Sequence, residues 1–183
     1  MNTYDPEKHE YYIDGIRIPS VTELLPKQNF YCTPEQLEAA REEGTENHNL
    51  IKMFFDTRET YENKMLEGLK IYLIGVSDLI LYEKRLFSEK HKFAGCPDAV
   101  FNDCIIDFKR SPGNKNINAL QLAGYYILLK ENKIINKCRS WLILNYDGKW
   151  KSRNVYNERA EDVFLSLVKK YYIEQSLKNY MEG

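Results

Sequence analysis

The stretch that most constrains this fold is Pro97-Asp98 followed, eight residues on, by Asp107-Phe108-Lys109, in FAGCPDAVFNDCIIDFKRS. Ala99-Val100-Phe101 and Cys104-Ile105-Ile106 are apolar, with Asn102-Asp103 between them. That pattern predicts a β-hairpin whose polar turn sits in water. Side chains alternate along a strand, so Asp107 and Lys109 share one face and Phe108 takes the other. Asp107 is flanked by Ile105, Ile106 and Phe108, so its strand is predicted to be buried. A carboxylate there costs several kcal/mol unless it is paired or bound to a metal. Asp98 follows a Gly-Cys-Pro turn, a place where aspartate also serves purely local hydrogen bonding.

Two carboxylates and a lysine on adjoining strands suit metal-dependent cleavage of a phosphodiester. The carboxylates hold divalent cations, and the ammonium steadies an attacking water or the phosphate. The alternative is an Asp107–Lys109 ion pair with a structural role. The segment resembles the signature of the PD-(D/E)XK nuclease superfamily, matched by Pro97-Asp98 and Asp107-Phe108-Lys109. Its flanks resemble the RecB-like branch, which includes phage and recombination exonucleases. Gly95-Cys96-Pro97-Asp98 is similar to that branch's G-x-x-D turn, and Gln121-Leu122-Ala123-Gly124-Tyr125 to its Q-x-x-x-Y helix. Leu81-Tyr82-Glu83 resembles the strand bearing an additional acid, and Gly44-Thr45-Glu46-Asn47-His48 the helix bearing a histidine. The likeness spans roughly residues 44 to 146, its pieces in the family's order. A D-x-K triplet alone carries little; five ordered pieces are specific.

The resemblance implies an α/β fold with a central mixed sheet flanked by helices, the α-β-β-β-α-β core. It implies that Asp98, Asp107, the carbonyl of Phe108, Glu83 and His48 hold one or two Mg²⁺ or Mn²⁺ ions. Lys109 would position the nucleophile, with Gln121 and Tyr125 in support. Imidazole among the ligands favours manganese somewhat. The implied partner is DNA and the implied product a 5′-phosphate end, made by an exonuclease of phage or mobile-element origin in recombination, replication or repair. An endonuclease of restriction type and a non-cleaving member of the fold remain open. A 183-residue chain leaves little room for the recognition segments a restriction enzyme needs.

For the third acid, Asp78, Glu83 and Glu89 all lie close in sequence. Alternation pairs Leu81 with Glu83 on one face, and a core-facing glutamate needs a reason, which favours Glu83. A lone helical histidine is commonly a surface or satisfied core residue, so His48 rests on its Gly-Thr-x-x-His context. His9 and His91 lack such a context and are expected at the surface. Gln121 and Tyr125 stand four apart, neighbours on one helical face.

A hydrophobic content of 43% over 183 residues can fill one core, so residues 1–183 read as a single domain. Within it the N-terminal hairpin and helices occupy about 1–60, the catalytic core about 44–146, and a closing hairpin and helix 147–183. No apolar run approaches the ~20 residues of a membrane span. MNTYDPEKHE has neither the basic nor the apolar region of a signal peptide, so a reducing cytoplasm is expected (that of a bacterial host, if phage-encoded). Cys32, Cys96, Cys104 and Cys138 show no zinc spacing. They also lack the late cysteine group of iron–sulfur relatives. Ordinary buried or half-buried thiols are expected, and no iron–sulfur cluster.

The net charge of −1 weighs only lightly against DNA, because acids gathered at a metal site turn electropositive once cations bind. Lys109, Arg110 and Lys115 lead out of the acidic strand, as a phosphate-contacting loop would. Lys149, Lys151 and Arg153 surround Trp150 and read rather as a solvated surface.

Elsewhere, Tyr11-Tyr12-Ile13 and Ile16-Arg17-Ile18 flank an Asp14-Gly15 turn, predicting a hairpin over 9–19. Ser20 and Glu23 form a capping box opening a short helix that Pro26 ends. Thr33-Pro34 opens a second helix through Glu43; Gly44 either breaks it or is tolerated, and Thr45 can cap a continuation to Phe55. Residues 56–80 read as mostly helical, with Leu66, Leu69, Leu73 and Ile74 as the buried stripe. Strands follow at about 80–87, 92–101 and 104–109, then a helix at 118–131. Trp141 to Leu144 read as an interior strand. After the Asp147-Gly148 turn comes a last strand. A helix over Glu158–Met181 then packs through Val163, Phe164, Leu167, Val168 and Tyr171.

Overall fold

The computed structural model describes residues 1–27, 33–135, 137–138 and 140–182, and Cys32 lies outside them. Three strands open the chain: β1 (Asn2–Asp5), β2 (Glu10–Ile13) and β3 (Ile16–Ile18), all antiparallel. The predicted hairpin joins β2 to β3. Asp14 and Gly15 at its tip have φ of 51° and 76°, the left-handed pair that a two-residue hairpin turn requires. Ser20 and Glu23 make the expected reciprocal capping box on α1 (Val21–Leu24).

Helix α2 (Pro34–Thr57) runs unbroken through Gly44 and Thr45. A single interior glycine costs only about 1 kcal/mol, which long helix-forming flanks absorb, so Thr45 is interior and no cap. Arg58 closes the helix with φ 63°. Only α3 (Lys64–Leu73) is helical in the region expected to be mostly so, because Thr60 to Asn63 form a turn whose Asn63 side chain caps α3. Leu66 and Leu69 are fully buried, whereas Ile74, one position past the helix, is 79% exposed.

The central sheet has the order β10-β9-β8-β7-β4: β4 (Leu79–Tyr82), β7 (Ala99–Phe101), β8 (Cys104–Lys109), β9 (Ser140–Tyr146) and β10 (Trp150–Asn154). Only β8 and β9 are parallel, joined through α4 (Lys115–Glu131), so the sheet is mixed. The expected strands 80–87 and 92–101 each divide in two. Their other halves, β5 (Leu86–Ser88) and β6 (Phe93–Gly95), form a separate ribbon that an Ala94–Ser20 bridge ties to the end of the N-terminal segment. The divisions fall at Glu83, with φ 41°, and at Cys96-Pro97-Asp98, where proline has no N–H for a ladder.

Apolar cores lie on both faces of this sheet. On one, Val100, Ile105, Trp141 and Ile143 meet α4 and α5 (Ala160–Glu182) through Leu122, Leu128 and Phe164. On the other, Ile106, Phe108 and Leu144 meet α2 and α3 through Ile51, Phe54, Leu66 and Leu69. The alternation predicted for β8 is therefore realised, its odd positions facing α4 and its even ones α2 and α3. Gly124 lets α4 approach α5, since a Cβ there would sit 2.7 Å from Phe164. The α5 stripe is Ala160, Phe164 and Val168, with Tyr171 half-buried; Val163, expected in it, is 47% exposed because it lies off that line. Helix α4 starts three residues before the predicted position, capped by the Asn114 side chain. Among the described residues no helix is long and apolar enough to cross a membrane.

Candidate active site

Asp107 points from β8 towards α4 and is 3% exposed. Its Oδ1 accepts a hydrogen bond from Gln121 Nε2 at 2.9 Å, and its Oδ2 lies 2.7 Å from Lys109 Nζ. That ammonium pairs with Oδ2, so both oxygens of Asp107 have a partner. Gln121 Nε2 also lies 3.2 Å from the Tyr125 hydroxyl. Both residues are nearly buried, and burial beside Asp107 drives the Tyr125 phenol far above its ordinary range, keeping it neutral. Tyr125 has room because Gly95 lacks a side chain; a Cβ there would sit 2.9 Å from the ring.

Asp98 sits on the bend between β6 and β7. Its Oδ2 accepts from the Phe108 N–H at 2.8 Å, tying the bend to β8, and its carbonyl accepts from the Glu83 N–H at 2.9 Å. Burial, then the nearby Asp107 charge, push the Asp98 carboxyl up to about 7. His48, one face of α2 turned to the sheet, brings Nε2 within 3.2 Å of the Phe108 carbonyl and 3.9 Å of Asp98 Oδ2. Glu83 completes this side, with Oε2 3.7 Å from Lys52 Nζ. A cavity of about 10 Å³ lies among His48, Lys52, Glu83, Asp98 and Phe108. That is room for about one water-sized sphere.

The eight residues singled out in the sequence fall into two adjoining groups, His48, Glu83, Asp98 and Phe108 about the small cavity and Asp107, Lys109, Gln121 and Tyr125 towards α4, tied together by the Asp98–Phe108 hydrogen bond. Asp78 and Glu89 join neither group. The Asp78 carbonyl binds Asn102 N–H near the hairpin tip, and Glu89 accepts from Asn2. His9 is exposed as expected, but His91 is half-buried, 3.4 Å from Glu131. Cys104 is buried and Cys96 and Cys138 half-buried; burial and the adjacent Asp98 raise the Cys96 thiol to about 11. Lys52 is a site residue the sequence reading passes over. Its signal is the spacing of four from His48 on one helix.

The basic clusters also meet. Arg110 is ion-paired with Glu43 at 2.6 Å, and shares with Lys151 and Arg153 a groove of about 510 Å³. Lys151 and Arg153 are exposed, as a solvated surface implies.

The donor types here are those a hard divalent cation takes: carboxylates, a main-chain carbonyl and one imidazole. Among the described residues, no three His, Cys, Asp or Glu side chains are close enough together to enclose an ion. Burial of Asp98, and then its neighbour Asp107, predict a specific pH response of the metal-free protein. A carboxyl raised in the folded state keeps its proton while the unfolded chain loses its own, so folding stability falls as pH rises from about 4 through about 7. In chelator, the melting temperature is expected to decline over that window, and Asp98→Asn to flatten the decline. A melting temperature with the same slope in the variant would remove Asp98 as its source.

No protein-family model matches the chain, and no curated protein matches it. Among solved structures, the chain is similar to LHK-Exo in complex with dAMP, at 14% identity and TM-score 0.42, over 85% of this chain and 75% of that one.

Proposed function

We propose that this protein is a metal-dependent deoxyribonuclease of PD-(D/E)XK type and RecB-like character, acting from DNA ends in recombination, replication or repair of phage or mobile-element DNA. The observation that carries the reading is Asp107. It is a carboxylate buried on an interior strand, held by Gln121, ion-paired with Lys109, and close enough to Asp98 to raise that group's pKa. Structural economy does not account for this arrangement, since burying two like charges lowers stability. A perturbed carboxyl, that of Asp98, clustered with a second carboxylate and a lysine is a mark of chemistry.

The residues that would hold Mg²⁺ or Mn²⁺ are Asp98, Asp107 and the Phe108 carbonyl, with Glu83 and His48 beside them. A bound ion supplies Lewis acidity and acidifies water for attack on phosphorus. Gln121 fixes the Asp107 rotamer through its hydrogen bond, and the neutral Tyr125 hydroxyl braces Gln121 in turn. Lys109 places an ammonium beside the carboxylate, where it stabilises an anionic nucleophile or phosphate oxygen. By the resemblance, the bond to the 3′ oxygen breaks and the 5′-phosphate remains on the product.

Among the described residues, helices α2 to α5 mix acidic with basic side chains, so discrimination between bases by a basic recognition helix is expected to be poor. Binding through phosphates weakens steeply with salt. End-labelled linear DNA incubated with Mn²⁺ is therefore expected to shorten progressively while covalently closed circles persist. Discrete fragments, or circles nicked as fast as linear DNA shortens, would assign the same site to an endonuclease. No cleavage of either substrate would leave a non-cleaving member of the fold.

A further inference from the structure

Beside the acidic cluster lies a cleft of about 630 Å³ between α2, the start of α3 and the ends of β8, β9 and β10. His48, Phe108 and Lys109 line it at the cluster end. From there a run of rings leads outward, Phe108 to Trp150 at 5.8 Å and Trp150 to Tyr146 at 5.5 Å between centroids. Tyr146 and Trp150 face each other across the β9–β10 hairpin, are half-buried, and both line the cleft. Trp150 is held in place by its N–H, which donates to the Met65 carbonyl at 2.7 Å. The rim is polar. Lys64 and the Asn47 amide have no ion pair or hydrogen bond there among the described residues, Arg110 is paired with Glu43, and Glu62 adds a negative charge.

We infer that this cleft is a nucleobase subsite, taking an unpaired nucleotide of a single-stranded or frayed DNA end with its base against Tyr146 and Trp150. The inference rests on the nuclease reading of the neighbouring acids for its choice of DNA. An aromatic floor with the lysines Lys64 and Lys109 on the cleft wall matches the two halves of a nucleotide, the flat base and the anionic backbone. A base inside a duplex has both faces stacked and cannot enter, so entry selects an unpaired one. The mixed charge of the rim places the selection in stacking rather than in net attraction. Every base has a π-face, so the subsite tolerates any sequence.

The chain's two tryptophans permit a direct test. Trp141 is fully buried, so quenching by a stacked base reports on Trp150. The full-length protein in chelator, where no hydrolysis interferes, is titrated with a single-stranded oligothymidylate and with an oligomer of abasic deoxyribose phosphates of equal length. The thymidylate is expected to quench the fluorescence and to bind about tenfold tighter or more, the effect of one stacked base. Tyr146→Leu should reduce that preference and Tyr146→Phe retain it. Equal binding of the two oligomers to the wild type, or a preference untouched by Tyr146→Leu, overturns the subsite. Parallel assays of Mn²⁺-dependent cleavage separate the two readings. Cleavage without base-dependent binding removes the subsite and keeps the nuclease, whereas base-dependent quenching without cleavage keeps the subsite and removes the nuclease.

Discussion

Replacing Lys109 by methionine is expected to lower the rate of DNA hydrolysis by roughly 10²–10³-fold while leaving metal binding in place. Lys109 Nζ lies 2.7 Å from Asp107 Oδ2, and the lysine side chain is 28% exposed. It can therefore reach both the carboxylate and a phosphate arriving from solvent. Ammonium is no metal ligand, so the donors on Asp98, Asp107 and Phe108 survive the change. Methionine keeps most of the apolar stem and removes the charge alone. The cost in stability should be largest without metal, because Asp107 is then a buried carboxylate lacking its counter-charge; losing one partner of a buried pair costs about 3–5 kcal/mol, less here for the partial exposure. Mn²⁺ should recover much of that loss by supplying positive charge. Melting curves with and without Mn²⁺ and a single-turnover cleavage assay read the two effects separately. A variant that cleaves at nearly the wild-type rate sinks the catalytic assignment of Lys109.

Asp107→Asn should do the opposite to binding. In the wild type, millimolar Mn²⁺ is expected to raise the melting temperature by linkage, since folded chain holds the ion and unfolded chain does not; saturation at a hundredfold over Kd adds about 2.7 kcal/mol. Asparagine retains the size of aspartate and can still accept from Gln121 Nε2, so the bond that positions the side chain at 2.9 Å persists. What disappears is one full negative charge among few donors. The Mn²⁺ increment should largely vanish, and hydrolysis with it. The neighbouring Asp98 should also titrate lower, since Asp107 is the second-largest cause of its upward displacement, after burial. A melting temperature indifferent to Mn²⁺ in the wild type itself would count against any metal site here.

The acid that joins Asp98 and Asp107 illustrates where sequence reading stops. Asp78, Glu83 and Glu89 are near one another in the chain, and alternation favours Glu83 only if its strand continues straight. The strand does not continue. Glu83 takes φ 41°, and it reaches the site because its N–H binds the Asp98 carbonyl across the junction with β7. The same bend explains why 80–87 and 92–101 are each two strands in two sheets. Residues on either side of each bend have strand propensity, and propensity does not record which sheet each half joins.

Local rules settled a good deal of this protein. Two-residue periodicity placed Asp107 and Lys109 on one face of β8 and Phe108 on the other, and the Asp14-Gly15 turn, the Ser20–Glu23 capping box and the four-residue spacing of Gln121 and Tyr125 followed from backbone geometry within a few residues. These features depend on bonds that close over short stretches of chain, so the sequence by itself determined them. Distant pairings were decided by the tertiary structure alone. It brought Lys52 beside Glu83, buried Ala160 where Val163 was expected, and gathered Tyr146 and Trp150 with α2 and α3 into a cleft next to Lys109. Such contacts join residues tens of positions apart. Their existence depends on how sheet and helices pack, and no local pattern specifies which surfaces will meet.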